Sequence, residues 1–122
     1  MVKTKGVIRE AKIYGVYDLF RRKPRGLGFN DTDVIVVKAK TKKGNEEVQV
    51  NFFTCLKGNG TFSLNAPSTL STASRERLAR FLTYYNLTDK PEEYNLVKNI
   101  KKWKNKEVEI VKEKGEQYIF VP

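Results

Sequence analysis

The stretch DVIVVKAKTKKGNEEVQVNFF (residues 33–53) decides the fold. Two runs rich in β-formers flank Lys43, Gly44 and Asn45, a turn that Gly and Asn make readily because both tolerate positive φ. The reading is an antiparallel hairpin of roughly residues 33–41 and 46–55. In the first run Ile35, Val37 and Ala39 alternate with Val34, Val36, Lys38 and Lys40. In the second, Val48, Val50 and Phe52 alternate with Gln49, Asn51 and Phe53. Successive strand side chains point to opposite faces. Burying the apolar sets turns Gln49, Asn51 and Phe53 outward, with Lys38 and Lys40 beside them and Lys42 beyond; the alternative is an ordinary solvated sheet face with Phe53 turning inward under a helix.

Upstream, GVIREAKIYGVY (residues 6–17) alternates well enough for a first strand, and residues 1–5 read as a frayed basic end. Downstream, KGNG (residues 57–60) is a turn, followed by a short expected strand at 61–64. A helix fits TASRERLARFLTYYNL (residues 72–87). Leu78, Phe81, Leu82 and Tyr85 form one apolar stripe with Arg75, Glu76 and Arg80 off it. Thr72 or Ser74 supplies its cap, and Asn86 its stop. A second helix is expected to open at Asp89, with Pro91 near its first position and Glu92 completing a capping box. It runs to about Lys102 and turns Leu96, Ile100 and Trp103 inward. The chain closes with a hairpin turning at Lys114 and Gly115. Either Tyr118 and Phe120 or Ile119 and Val121 face inward there, and alternation does not say which. The class is α+β: one domain over residues 1–122, a small antiparallel barrel-like sheet of five or six strands, and one or two helices between strands 3 and 4.

The element order is strand, long basic loop, hairpin, helices, hairpin. In that order, over nearly the whole chain, the protein resembles OB-fold single-strand-binding proteins. The resemblance implies that residues 18–31 join strands one and two and that residues 113–116 join the closing pair. It also implies that these two loops and the face of strands two and three grip nucleic acid.

Composition supports a polyanionic partner independently. The 122 residues hold 24 Lys and Arg against 14 Asp and Glu, a net charge of +10 with no histidine. Solubility needs far less, whereas each neutralised phosphate releases counterions and favours binding. A thermophile-type ion-paired surface would explain the charge density but not the imbalance of sign. The segment DLFRRKPRGLGFND (residues 18–31) concentrates the signal. Arg21, Arg22, Lys23 and Arg25 are expected on phosphates, since guanidinium clamps phosphate bidentately. Phe20 and Phe29 either stack on bases or pin the loop ends. The lysines at 98, 101, 102, 104 and 106 read instead as the favoured cations of a helix C-terminus.

Enzyme chemistry is poorly represented. Neither GxGxxG nor GxxxxGK[ST] occurs. Cys55 is alone and no His exists, which excludes an intrachain disulfide, a His-ligated zinc site and a His general base. Asp31 and Asp33 are better read as flanking a strand start than as metal ligands. Glu10 and Lys12 have a nuclease-like spacing without the acidic residue that should precede them. No secretory signal or membrane span is read, so a cytoplasmic setting without membrane contact is expected.

The expectation is a non-catalytic binder of single-stranded nucleic acid, DNA ahead of RNA, with no cofactor or metal. Its interface would be Arg21, Arg22, Lys23, Arg25, Phe29, Lys38, Lys40, Lys42, Gln49, Asn51 and Phe53. The rival reading is a small accessory or inhibitor protein, viral or from a mobile element, docking on an acidic protein partner. A third is a coat on duplex DNA. Edge strands of so small a sheet can pair between subunits, so monomer and homodimer both fit.

Overall fold

Strand alternation, rather than helix propensity, shapes most of the molecule. The computed structural model describes residues 2–22, 31–44, 46–66 and 68–122. The strands are β1 (Val2–Gly15), β2 (Asp33–Thr41), β3 (Glu47–Thr54), β4 (Glu107–Glu113) and β5 (Glu116–Ile119). All neighbours are antiparallel, in the order β3-β2-β1-β4-β5. β5 also comes against β3, so the sheet curls into a nearly closed barrel. This arrangement, with a helix between β3 and β4, is consistent with an OB-like fold.

The long β1 makes the barrel possible by serving two partners. Its first half pairs with β4 and its second with β2, and Gly6 pairs with both, opposite Thr41 and Val108. A Cβ at Gly6 would lie 2.5 Å from Ile110 Cδ1 and 2.8 Å from the Lys40 carbonyl oxygen, so only glycine fits this crossing. Residues 2–5, expected to fray, are instead paired with β4. The reason is tertiary: β4 offers ladder partners that the local sequence does not reveal.

The hairpin of β2 and β3 spans nearly the expected residues, with Val37 opposite Val50 and Lys38 opposite Gln49. Ile35, Val37, Ala39, Val50 and Phe52 face the core with Ile8, Ile110 and Ile119. In the closing hairpin Ile119 is the buried side, while Tyr118 and Phe120 are only half-buried. Lys114 and Gly115 both take positive φ, as a type I′ turn requires.

The helical pieces separate by position. α1 (Val16–Leu19) is a single turn after β1. α2 (Thr69–Tyr84) lies against β3 and buries Leu78, Phe81 and Leu82. Phe81 centres the core, with ring centroids 5.0 Å from Phe52, 5.2 Å from Tyr85 and 5.6 Å from Trp103. The cap of α2 is Ser68, whose hydroxyl accepts from Ser71 N at 3.1 Å, not Thr72 or Ser74. Those two are used otherwise: the Thr72 hydroxyl donates to Ser68 O and the Ser74 hydroxyl to Phe53 O. Asn86, at φ 56°, ends the helix as expected.

The expected second helix is shorter and broken. A 3-10 turn at Pro91–Glu93 precedes α3 (Leu96–Asn99), which runs into another 3-10 turn at Ile100–Trp103. Asn95, not Asp89, caps α3 by accepting from Lys98 N at 2.9 Å. Residues 61–64 form no strand; Thr61 O accepts from Lys57 N, and Gly60 O from Leu96 N.

Candidate nucleic-acid interface

The outer face of β1, β2 and β3 can be read in rows across the sheet. Tyr14, Val34 and Phe53 form one row; Lys12, Val36 and Asn51 the next; Glu10, Lys38 and Gln49 the third. Lys40 stands opposite Glu47 beyond them. The face thus grades from aromatic and aliphatic at one end to basic and amide-bearing at the other.

α1 builds the apolar end. Gly15 N donates to Asp18 Oδ2 at 3.0 Å and Val16 N to Thr32 O at 2.9 Å, folding the turn back over the sheet. Val16 is buried with Val34 and Val36, and Tyr14, Phe20 and Phe53 close around them. Phe20 and Phe53 sit 5.9 Å apart at a tilt. Phe53 is therefore on the predicted face but half-buried, and Phe20 packs there at the end of α1. The same turn leaves Tyr17 69% and Leu19 43% exposed. Sequence reading missed Tyr17 because nothing in the alternation marks where β1 gives way to a helical turn.

Electrostatics dominate the other end. Glu10 lies 2.9 Å from Lys12 Nζ and 3.9 Å from Lys38 Nζ. The hydrogen bond and charge of Lys12, then the charges of Lys38 and Lys104, hold the Glu10 carboxyl below its ordinary value; Glu10 in turn raises Lys12. Gln49 Nε2 donates to Asn51 Oδ1 at 3.0 Å, which orients both amides along the strand. Tyr14, Leu19, Val36, Lys38 and Gln49 line a shallow depression of about 140 Å³ walled by Glu10 and Lys12.

The expected site residues divide accordingly. Lys38, Gln49, Asn51 and Phe53 share this face, and Lys40 borders it. Arg21 and Arg22 follow Phe20, exposed, and neither has a carboxylate within ion-pairing distance among the described residues. Lys42 is not brought to this face: it pairs with Glu107 at 2.7 Å, next to Lys5. Its two neighbours lie on β1 and β4, which wrap past the tip of the β2–β3 hairpin. Lys23, Arg25 and Phe29 lie outside the described residues.

Asp31 and Asp33 hold structure. Asp31 is fully buried, paired with Arg75 at 3.2 Å and hydrogen-bonded by the Ser71 hydroxyl. Asp33 Oδ2 accepts from Thr32 Oγ1 and from Leu56 N. Arg75, expected on the solvent side of its helix, is therefore 3% exposed. Among the described residues no cluster of three or more metal-ligating side chains forms, and no helix is long and apolar enough to cross a membrane.

No protein-family model, curated protein or solved structure matches the chain.

Proposed function

We propose that the protein binds single-stranded nucleic acid without catalysis, through the outer face of β1, β2 and β3. The observation that carries this reading is the graded face itself. Rings at one end offer surfaces for base stacking; at the other Lys12 and Lys38 share the single carboxylate of Glu10, and the positive charge left in excess tracks phosphates. Tyr17 is the most exposed ring there, at 69%, and takes over the stacking role expected of Phe53. Arg21 and Arg22 follow four and five residues later in the chain, and guanidinium groups suit both phosphate and base. Lys38, Lys12 and Lys40 continue the cationic side, with Gln49 and Asn51 as neutral hydrogen-bonding groups between. DNA is favoured over RNA only by the wider expectation for such barrels, and no described side chain is set apart as a reader of a 2′-hydroxyl.

The test is fluorescence anisotropy with single-stranded DNA, single-stranded RNA and duplex of equal length, each titrated with salt. Single strands should bind more tightly than duplex, with log affinity falling by about 0.7 per neutralised phosphate for each log unit of salt. Substituting Tyr17→Ala should weaken binding by about 1–3 kcal/mol if a base stacks on it. Equal affinity for duplex would favour a coat protein, and no affinity for any nucleic acid would favour an acidic protein partner.

A further inference from the structure

We propose that the binding surface does not end at β1 but crosses it at a bulge and continues into a second basic cleft, where Arg9, Lys101 and Lys104 hold a further run of phosphates. The inference rests on the reading of the outer face above, and extends it to a part of the molecule outside the loops and strands that the OB-fold resemblance implies. β1 is irregular at this point. Ile8 pairs with Ala39, but Glu10 pairs with Lys38, so Arg9 is an extra residue on the bulged strand. A bulge re-aims side chains and bends its strand. Here both backbone groups of Ile8 are engaged from outside the β2 ladder: its N–H donates to Lys106 O at 2.9 Å, and its carbonyl accepts from Asn105 N at 2.8 Å. The end of the Ile100–Trp103 turn is thereby fastened against β1.

Between them lies a cleft of about 490 Å³ lined by Arg9, Glu10, Lys12, Ile100, Lys101 and Lys104. Glu10 and Lys12 also line the depression on the outer face. The two hollows therefore border each other at these two side chains of β1. Four cations face a single carboxylate in the second hollow, and Lys12 already neutralises that carboxylate. Arg9, Lys101 and Lys104 are exposed and have no ion-pair partner among the described residues. No ring lines this cleft among the described residues, so it suits the sugar-phosphate backbone rather than bases, with binding indifferent to sequence.

The helix dipole, invoked for these lysines from sequence, explains little of this arrangement. α3 has a single turn, and Lys101 belongs to a 3-10 turn, so the aligned peptide dipoles are few. The lysines also separate by side. Lys98 and Lys102 border a different hollow that contains Asp89 and Glu93, whereas Lys101 and Lys104 turn to β1.

That separation provides the test. In the full chain, K101A/K104A is compared with the charge-matched K98A/K102A, using thymidine oligomers of about 5 and about 15 nucleotides, which bracket the span of a single OB-like domain. For K101A/K104A, affinity for the long oligomer should fall about fivefold to tenfold, and the salt slope should flatten by about 0.7 for each phosphate no longer neutralised. Affinity for the short oligomer should stay, and K98A/K102A should change neither. Equal losses in the two variants, or an unchanged long oligomer, would overturn the second cleft while leaving the outer face standing. If the wild-type chain binds neither oligomer, the outer-face reading fails first and the cleft falls with it.

Discussion

Arg75 shows what a sequence conceals at the scale of one residue. Off the apolar stripe of α2, it reads as solvent-facing, but it is buried because Asp31 and two carbonyls take its guanidinium. Nη2 lies 3.2 Å from Asp31 Oδ1, and Nη1 donates to Asn65 O at 2.9 Å and Ser63 O at 3.4 Å. Such a pair contributes little net stability, yet breaking it strands a buried charge. Asp31→Ala should therefore cost about 3–5 kcal/mol in urea denaturation. A loss under about 1 kcal/mol would mean that water reaches Arg75. Tyr85 is the opposite case, a stripe residue correctly placed in the core whose polar tip was not foreseen. Its hydroxyl donates to Phe120 O at 2.6 Å and accepts from Glu109 N at 3.2 Å, and burial pushes its pKa up from 10.0 to about 12. The folded value lies above the unfolded one, so this contribution is full below about pH 10 and disappears as pH rises toward 12. Lysines titrate in the same window, so the measurement is a difference: wild type and Tyr85→Phe should differ by about 1–2 kcal/mol near neutrality. They should converge as the pH is raised. A constant gap across that range would rule out ionisation of Tyr85 as the cause.

At the scale of elements, legibility followed the locality of the forces. The β2–β3 hairpin was readable to within a residue or so because alternation and a short turn are both nearest-neighbour properties. The second helix was not, although Asp89, Pro91 and Glu92 make a sound local start. Its position is set from Gly60, distant in sequence. The Gly60 carbonyl accepts from Leu96 N at 2.9 Å, and Asn95, beside it, becomes the cap. Gly60 has φ +83°, and a Cβ there would lie 2.3 Å from Asn95 Oδ1, the atom that caps Lys98 N. Gly60→Ala should accordingly destabilise by more than about 1 kcal/mol, from backbone strain and loss of the cap together. Ser68→Ala, which removes the α2 cap and the donation to the Ser71 hydroxyl, should cost about 1 kcal/mol. Thermal midpoints of the two variants would rank them. Should Gly60→Ala prove the milder change, the link from residue 60 to α3 is not what positions that helix.

At the scale of the whole molecule, the sign of the charge was legible from composition, but its sorting in space was not. Lys3, Lys5 and Lys42 pair with Glu107 and Glu109 along β4, and Lys42 is spent there rather than on the proposed interface. Among the described residues, the cations left unmatched near the groove come from distant segments: Arg21 and Arg22 after α1, Lys40 on β2, Arg9 at the bulge, Lys101 and Lys104 before β4. Pairing of β1 with β2 and the fastening of residues 105 and 106 to Ile8 bring several of these segments to one side of β1, and neither long-range contact has a local signature. This sorting sets two effects of salt against each other. Exposed ion pairs contribute about 0–1 kcal/mol each and weaken when screened, while a net charge of +10 repels itself and is relieved by the same screening. If unmatched cations are held together, repulsion dominates, and raising salt from about 0.05 to about 0.5 M should raise the thermal midpoint of the free protein. Nucleic-acid affinity should fall by orders of magnitude over the same range. The two responses therefore have opposite sign, and one salt series measures both. A midpoint that fell in step with affinity would show the ion pairs outweighing the repulsion, and the cations too well matched at home to hold a strand.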